Sequence, residues 1–345
     1  MTAAGILDGL WYLAGRSAEL KPRRMVRRTL FDEPILLGRT KTGAVFALRD
    51  VCPHRAAPLS AGRLVDQAGE DCVECPYHGW RFAAVDGRCV DAPALIDGGR
   101  RLSAIAARAY ALSESNGLLW IYNGAGPPET PPPEIGVPGD WRPKTFTVLE
   151  TEGPFDEAVI GLVDPAHTPV VHKQWWWRDG KERRDKEKRF EPTPLGFKMI
   201  AHAPSANSRV YGFFGGAPTT EIEFRLPALR LEQVRLGRKR LLGLTAMTPS
   251  EAGRTRIVHA IFWDLAILDV LRPVAQSMAD DFLGQDAAIL SLQNENLARL
   301  AHRPLYLGDS DEPAKWLFRL KGAWAARAEG GFKNPLAPAI LRWRT

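Results

Sequence analysis

Residues 10 to 122 carry short apolar or alternating runs separated by turn signals, a pattern that predicts strands. Residues 44–48 (AVFAL) follow a Thr-Gly turn signal. Residues 81–85 followed by Asp86-Gly87 predict a hairpin, because Asp-Gly suits the positive φ angles of a type I′ turn. Residues 117–122 (GLLWIY) form a further apolar strand. Residues 124–143 (GAGPPETPPPEIGVPGDWRP) are dense in Gly and Pro. Proline fixes φ and removes a donor, so this stretch reads as a linker without regular structure.

From residue 144 the pattern changes. Residues 155–172 repeat apolar positions at helical spacing. The mixed-sign run 181–189 (KERRDKEKR) reads as an exposed loop. Alternation and β-branched or aromatic content predict strands at 196–203, 209–214, 221–226, 240–247 and 254–263. A helix follows from about Pro273 to Leu300, with proline in its first turn as at an N1 position. Helix, antiparallel sheet and long helix make an α+β second domain. The expected division is an all-β domain over 1–123, a linker over 124–143 and a second domain over 144–345. There is no internal repeat.

Composition narrows the class. A chain of 345 residues is long enough for two hydrophobic cores. Its 45% hydrophobic and 25% charged residues are ordinary for a globular protein. No run of about twenty apolar residues predicts a membrane span. The N-terminus lacks a basic n-region and Asp8 interrupts its apolar stretch, so no secretory signal is read. The net charge of +6 suits an acidic partner such as a small electron-carrier protein, and equally a solvated surface excess. No basic stripe interleaved with aromatics points to nucleic acid. Only Cys52, Cys72, Cys75 and Cys89 occur, which argues against a disulfide framework and for a reducing, cytoplasmic location.

Two of those cysteines belong to paired motifs, Cys52-Pro-His54-Arg55 and Cys75-Pro-Tyr77-His78-Gly79-Trp80. Each offers one thiolate and one imidazole, fenced by Pro or Gly. Cys-x-His followed by Cys-x-x-His is the ligand pattern of a Rieske [2Fe–2S] centre, in which two Cys hold one iron and two His the other. Cys72-Val-Glu-Cys75 imitates a redox or zinc pair, but the tighter match joins Cys75 to His78 and leaves Cys72 as a small buried apolar residue. Two Cys and two His also suit zinc, and a cluster alone suits a non-enzymatic electron carrier.

A second group separates those readings from an enzyme. Asp164-Pro165-Ala166-His167-Thr168-Pro169-Val170-Val171-His172 places two histidines five residues apart. On an ideal helix they point about 140° apart, so both face one ion only if the helix bends. Pro169 offers a cause for the bend. Two imidazoles, one carboxylate and open positions suit non-haem Fe(II) that activates oxygen. Asp286 is the preferred carboxylate, since it lies on an otherwise apolar helical face where an unpaired charge is costly. Asp280 and Asp281 are rivals nearer the helix start, where acidic residues favour the dipole.

With both motifs in view, the chain resembles the oxygenase (α) component of Rieske non-haem iron oxygenases over nearly its whole length. Trp11-Tyr12 resembles the opening of the family's Rieske domain, and Gln285-Asp286 with Gln293 resembles its third-ligand helix. The resemblance implies a helix-grip catalytic domain. It implies Cys52, His54, Cys75 and His78 as cluster ligands, and His167, His172 and Asp286 as ligands of mononuclear Fe(II). It further implies that Asp164 links His167 to the cluster histidine His78 of a neighbouring subunit, hence a homotrimer. Ile160, Gly161, Leu162 and Val163 stand where family members often carry an Asn, a departure from the family pattern. The short chain is similar to the α-only monooxygenases and demethylases.

The implied reaction takes electrons from NAD(P)H through a ferredoxin or flavin reductase, and uses O2 on a small organic substrate. Outcomes include hydroxylation, O- or N-demethylation and sulfoxidation, with ring dihydroxylation as the alternative. Apolar candidates for the substrate pocket are Val159 and Leu162 from the first helix and Ile289 and Leu290 from the last. The strands add Tyr211, Phe213, Phe214 and Trp263. His202 and His259, on predicted strands, are half-buried histidines able to orient a polar substrate.

Overall fold

Buried apolar runs shape the first third of the chain into short antiparallel strands. The computed structural model describes residues 5–96, 102–172, 185–203, 218–251, 253–297, 299–302, 304–327 and 331–344. The chain divides into two units: Asp8–Glu134 with Ser250–Ala252, and Met1–Leu7 with Ile135–Pro249 and Gly253–Thr345. The first unit holds β1 (Leu10–Arg16), β2 (Met25–Leu30), β3 (Glu33–Arg39), β4 (Val45–Arg49), β5 (Arg63–Gln67) and β6 (Glu70–Glu74). It continues with β7 (Arg81–Ala83), β8 (Cys89–Asp91), β9 (Ala109–Tyr110), β10 (Leu112–Ser115) and β11 (Leu118–Asn123). They form three sheets, ordered β1-β11-β10, β2-β3-β4-β9 and β5-β6-β7-β8.

β11 (LLWIYN) is buried along its whole length. Leu36, Phe46 and Leu48 from the second sheet share one core with Val73 and Phe82 from the third. Each such side chain stabilises the fold by roughly 1.5–3 kcal/mol. Cys52, Cys75 and Trp80 belong to that same core, so the two motif loops are anchored in it.

The second unit is an eight-stranded antiparallel sheet with helices against it. Its strands are β12 (Thr145–Glu152), β13 (Asp185–Thr193), β14 (Gly196–His202), β15 (Thr219–Arg225), β16 (Leu229–Leu236), β17 (Lys239–Pro249), β18 (Arg254–Trp263) and β19 (Ala339–Arg344). Their order is β12-β18-β17-β16-β15-β14-β13-β19. The helices are α1 (Phe155–Val163), α2 (Thr168–Val171), α3 (Ala266–Val270), α4 (Arg272–Leu297) and α5 (Glu312–Ala325). α4 is held along β12 by polar contacts: Phe146 N–H donates to Gln276 Oε1 at 2.9 Å and Thr147 Oγ1 to Asp280 Oδ1 at 2.6 Å. α5 buries Trp316, Leu317, Leu320 and Trp324, a one-sided stripe at helical spacing. Trp316 meets the rings of Phe190 and Phe197 edge-on at 5.4 and 5.0 Å. This is the α+β, helix-grip arrangement that the sequence predicts. Among the described residues no helix is long and apolar enough to cross a membrane.

Three local expectations change. The helix expected over 155–172 ends at Val163 and resumes only for the turn Thr168–Val171. Part of the charged run expected to be a loop is strand β13, because its acids pair across the ladder. Glu187 lies opposite Arg342 and bonds it at 2.7 Å, and Asp185 likewise pairs with Arg344. β12, β16, α3, α5 and β19 were not predicted. The strand expected at 209–214 and residues 181–184 lie outside the described residues.

Candidate metal centres and the adjoining cavity

The first centre is built by two loops of the same conformation. Cys52 N–H donates to the Ala57 carbonyl at 2.9 Å, and the Cys52 carbonyl accepts from Ala56 N–H at 2.8 Å. In the second loop Cys75 N–H donates to the Trp80 carbonyl at 2.8 Å, and the Cys75 carbonyl accepts from Gly79 N–H at 3.1 Å. The fifth residue of each loop has positive φ, 58° at Ala56 and 70° at Gly79. Buried Asp50 braces the first loop by accepting from Ser60 N–H and Oγ, both at 2.6 Å.

These loops bring four donors together. Burial raises the Cys52 pKa above the usual thiol value, and the neighbouring Cys75 thiol adds to the rise. The His54 and His78 rings lie 4.6 Å apart, and His54 stacks on Trp80 at 4.5 Å. His54 Nδ1 is buried with no hydrogen-bond partner among the described residues. Two apposed thiols and an orphaned imidazole nitrogen fit a thiolate- and imidazole-ligated cluster. Cys72 stays apart on β6. It is fully buried, donates weakly to the Glu70 carbonyl at 3.6 Å, and is pushed up to about 11 by burial.

The second centre depends on the break between α1 and α2. Asp164, which precedes Pro165, takes an extended conformation (φ −66°, ψ 119°) because proline disfavours a helical residue before it. Its Oδ1 accepts from Ala166 N–H at 2.7 Å and closes an Asx turn. α2 then starts afresh with His167 as N-cap and Pro169 in the first turn, and ends at His172. Pro165 therefore makes the bend, and Pro169 starts the new turn rather than kinking a continuous helix. Asp286 enters from the middle of α4.

His167, His172 and Asp286 present one ligand atom each, all within 4.8 Å of one another. His167 Nε2 is 3.6 Å and His172 Nε2 3.4 Å from Asp286 Oδ1. His167 Nδ1 lies 3.0 Å from the Asp164 carbonyl and His172 Nδ1 3.3 Å from Gln285 Oε1. Both oxygens are acceptors, so each ring carries its proton on Nδ1 and turns a bare Nε2 toward the carboxylate. His172, fully buried and stacked on Phe282 at 3.7 Å, is pushed down to about 4, first by burial and then by His167. Burial pushes Asp286 up to about 6. His172 Nε2 has no hydrogen-bond partner among the described residues. Two lone pairs and a carboxylate facing one another repel unless a cation sits among them, so the donor set fits a divalent ion. Asp280 and Asp281 are both exposed, and Asp280 is engaged by Thr147 and Gln276.

A cavity of about 380 Å³ adjoins this group. His167, Asp286, Leu162, Ile289 and Leu290 line it. Val159 is buried but is not among the lining side chains, and Trp263 packs in a separate core with Val234, Leu236 and Leu265. Tyr211, Phe213 and Phe214 lie outside the described residues. His202 lines the cavity, with Nδ1 3.0 Å from the Ile200 carbonyl. His259 does not line it; its Nδ1 is 2.9 Å from Thr245 Oγ1, and burial pushes it down to about 4. Sequence reasoning passed over Lys188, Arg230 and Glu232, which also line the cavity. Their signal was the alternation along β13 and β16, which puts charge on the face opposite the exposed one.

Comparison with known proteins agrees with this geometry. Residues 10–99 match the Rieske [2Fe-2S] domain. The chain is 27% identical over 316 residues to chlorophyllide a oxygenase, chloroplastic, of Chlamydomonas reinhardtii, covering 85% of this chain and 44% of the relative. It is 32% identical over 187 residues to the oxygenase component of dicamba O-demethylase of Stenotrophomonas maltophilia, covering 51% of each. The chain thus spans about half the length of these curated relatives. The crystal structure of dicamba monooxygenase bound to 3,6-dichlorosalicylic acid shares the fold, with a TM-score of 0.70 at 24% identity, over 94% of this chain and 100% of that one. A Rieske [2Fe-2S] domain match followed by a two-histidine, one-carboxylate group makes the chain similar to the oxygenase components of Rieske non-haem iron oxygenases.

Proposed function

We propose that the chain is the terminal oxygenase of a multicomponent system that draws electrons from NAD(P)H through a reductase or ferredoxin. With O2 it monooxygenates a small organic substrate with an aromatic or apolar body, by hydroxylation, O- or N-demethylation or sulfoxidation. The observation that carries this reading is the convergence of two imidazole nitrogens and one carboxylate oxygen beside a cavity of about 380 Å³. A demethylase oxygenase component among the relatives supports monooxygenation over ring dihydroxylation.

Cys52, His54, Cys75 and His78 would hold the cluster, and His167, His172 and Asp286 the ferrous ion. When bound, these groups supply one-electron transfer and activation of dioxygen. The chain's own residues do the rest. The Asp164 carbonyl and Gln285 keep the imidazole protons on Nδ1. Phe282 and Leu290 present apolar surface beside the ligands and limit water there. The Asp164 carboxylate, 3.7 Å from His167 Nδ1, is the proposed hydrogen-bonding link to the partner subunit's His78 in a homotrimer. A cytoplasmic location belongs to the same reading.

The Asp286→Ala variant tests it. The visible and paramagnetic signals of the cluster should persist while non-cluster iron and O2 uptake fall to background. Undiminished iron and turnover would move the ligand elsewhere.

A further inference from the structure

The cavity beside the iron ligands has a charged side. β13 alternates, so Lys186, Lys188 and Phe190 share the face that lines the cavity. The acids of the same strand are committed to the other face, where Asp185 pairs with Arg344 and Glu187 with Arg342. Across the sheet Arg230, a further cavity-lining cation, is already neutralised by Glu232 at 2.9 Å. Lys188 has no such neighbour. Among the described residues its ammonium makes neither an ion pair nor a hydrogen bond, although the side chain is half-buried. Burial, followed by repulsion from Lys186, lowers its pKa below the ordinary lysine value. A half-buried cation without a partner is costly, and an anion delivered by a ligand would offset that cost.

We propose that Lys188 is the counter-ion for an anionic group, a carboxylate or sulfonate, on the substrate of this enzyme. The substrate class is then small organic acids with an apolar body. The anionic end meets β13, and the body extends along Phe190, Phe197 and Met199, which line the same cavity. A volume of about 380 Å³ suits one substituted ring. The inference rests on the oxygenase reading only for what becomes of the bound molecule; the binding preference is independent of it.

The test is calorimetric titration of the purified holoprotein with a panel of substituted benzoates and benzenesulfonates. Their neutral isosteres, the benzamides and benzenesulfonamides, are titrated alongside. At least one acid should bind about tenfold or more tightly than its amide, the margin expected of a charge-assisted hydrogen bond. Which acids show the margin separates carboxylate from sulfonate preference. Lys188→Met should remove the margin without changing amide affinity, iron content or the cluster spectrum. Lys188→Arg should keep most of it, and Lys41→Met on the surface all of it. In the unaltered protein the margin should also shrink with added salt. The proposal is overturned if no acid outcompetes its neutral isostere, or if Lys188→Met weakens both members of a pair alike or neither. Loss of iron from the His167–His172–Asp286 group with the acid preference intact would count against the oxygenase reading instead.

Discussion

A single amide decides which nitrogen of His172 is available. Gln285 Oε1 accepts from Nδ1, so Nε2 is left bare and aimed at Asp286. Gln285→Leu removes the acceptor while keeping comparable bulk on a half-buried helix face. Affinity for Fe(II), measured by competition with a chelator, should fall about 10- to 100-fold. Gln285→Glu should restore it, since a carboxylate accepts the same proton more strongly, and the melting temperature of both should stay near that of the parent. Equal affinity in the leucine variant would show that the imidazole needs no such support. Asp286 was legible in the sequence because a carboxylate on an apolar helical face demands a partner. The role of its neighbour was not, because Gln285 acquires meaning only when His172, 113 residues away, is brought against it. Lys188 was hidden for the opposite reason: inside a charged run, one lysine turned inward is indistinguishable from those turned outward.

At the scale of elements, the two cysteine loops share one backbone path but not one sequence. Gly79 meets the positive φ of its loop without strain, whereas Ala56 adopts φ 58° with a Cβ. Ala56→Gly should therefore leave the cluster spectrum intact. Ala56→Val places a β-branched side chain in the left-handed region at a cost of about 1–3 kcal/mol. Its expected result is a protein with reduced cluster occupancy, read from visible absorbance per chain. Full occupancy in the valine variant would mean that the loop tolerates another path. Elements with a local signal were legible: the Arg254–Trp263 strand alternates, and the long helix has proline in its first turn. Others depended on distant partners. β13 looked like a solvated loop until Arg342 and Arg344 supplied its counter-charges. A bend between the histidines was assigned to Pro169, yet His167 and His172 cap the two ends of one short turn, and the break lies before both, where Pro165 denies Asp164 a helical conformation.

At the scale of the molecule, the proposed cluster ligands all lie in one unit and the mononuclear group in the other. The four cluster residues come from loops beside the β5–β8 sheet, and none is borrowed from the eight-stranded sheet. Two of the three proposed iron ligands flank α2 and the third lies on α4, and their supports Asp164, Gln285 and Phe282 come from the same unit. Each metal group therefore has its own scaffold, and loss of one should leave the other assembled. Cys52→Ser should abolish the Rieske absorbance and lower iron from about three to about one atom per chain. The remaining ion should keep its chelator resistance. His172→Ala should give the converse, about two irons per chain with an unchanged cluster spectrum. On the proposed function O2 uptake should be lost in both, since that reaction needs electron entry as well as the ferrous site. A Cys52→Ser protein that also lost its mononuclear iron would show that the second unit depends on the first to hold its ligands in place. Divided scaffolds predict instead that the variants fail at different steps of the same reaction.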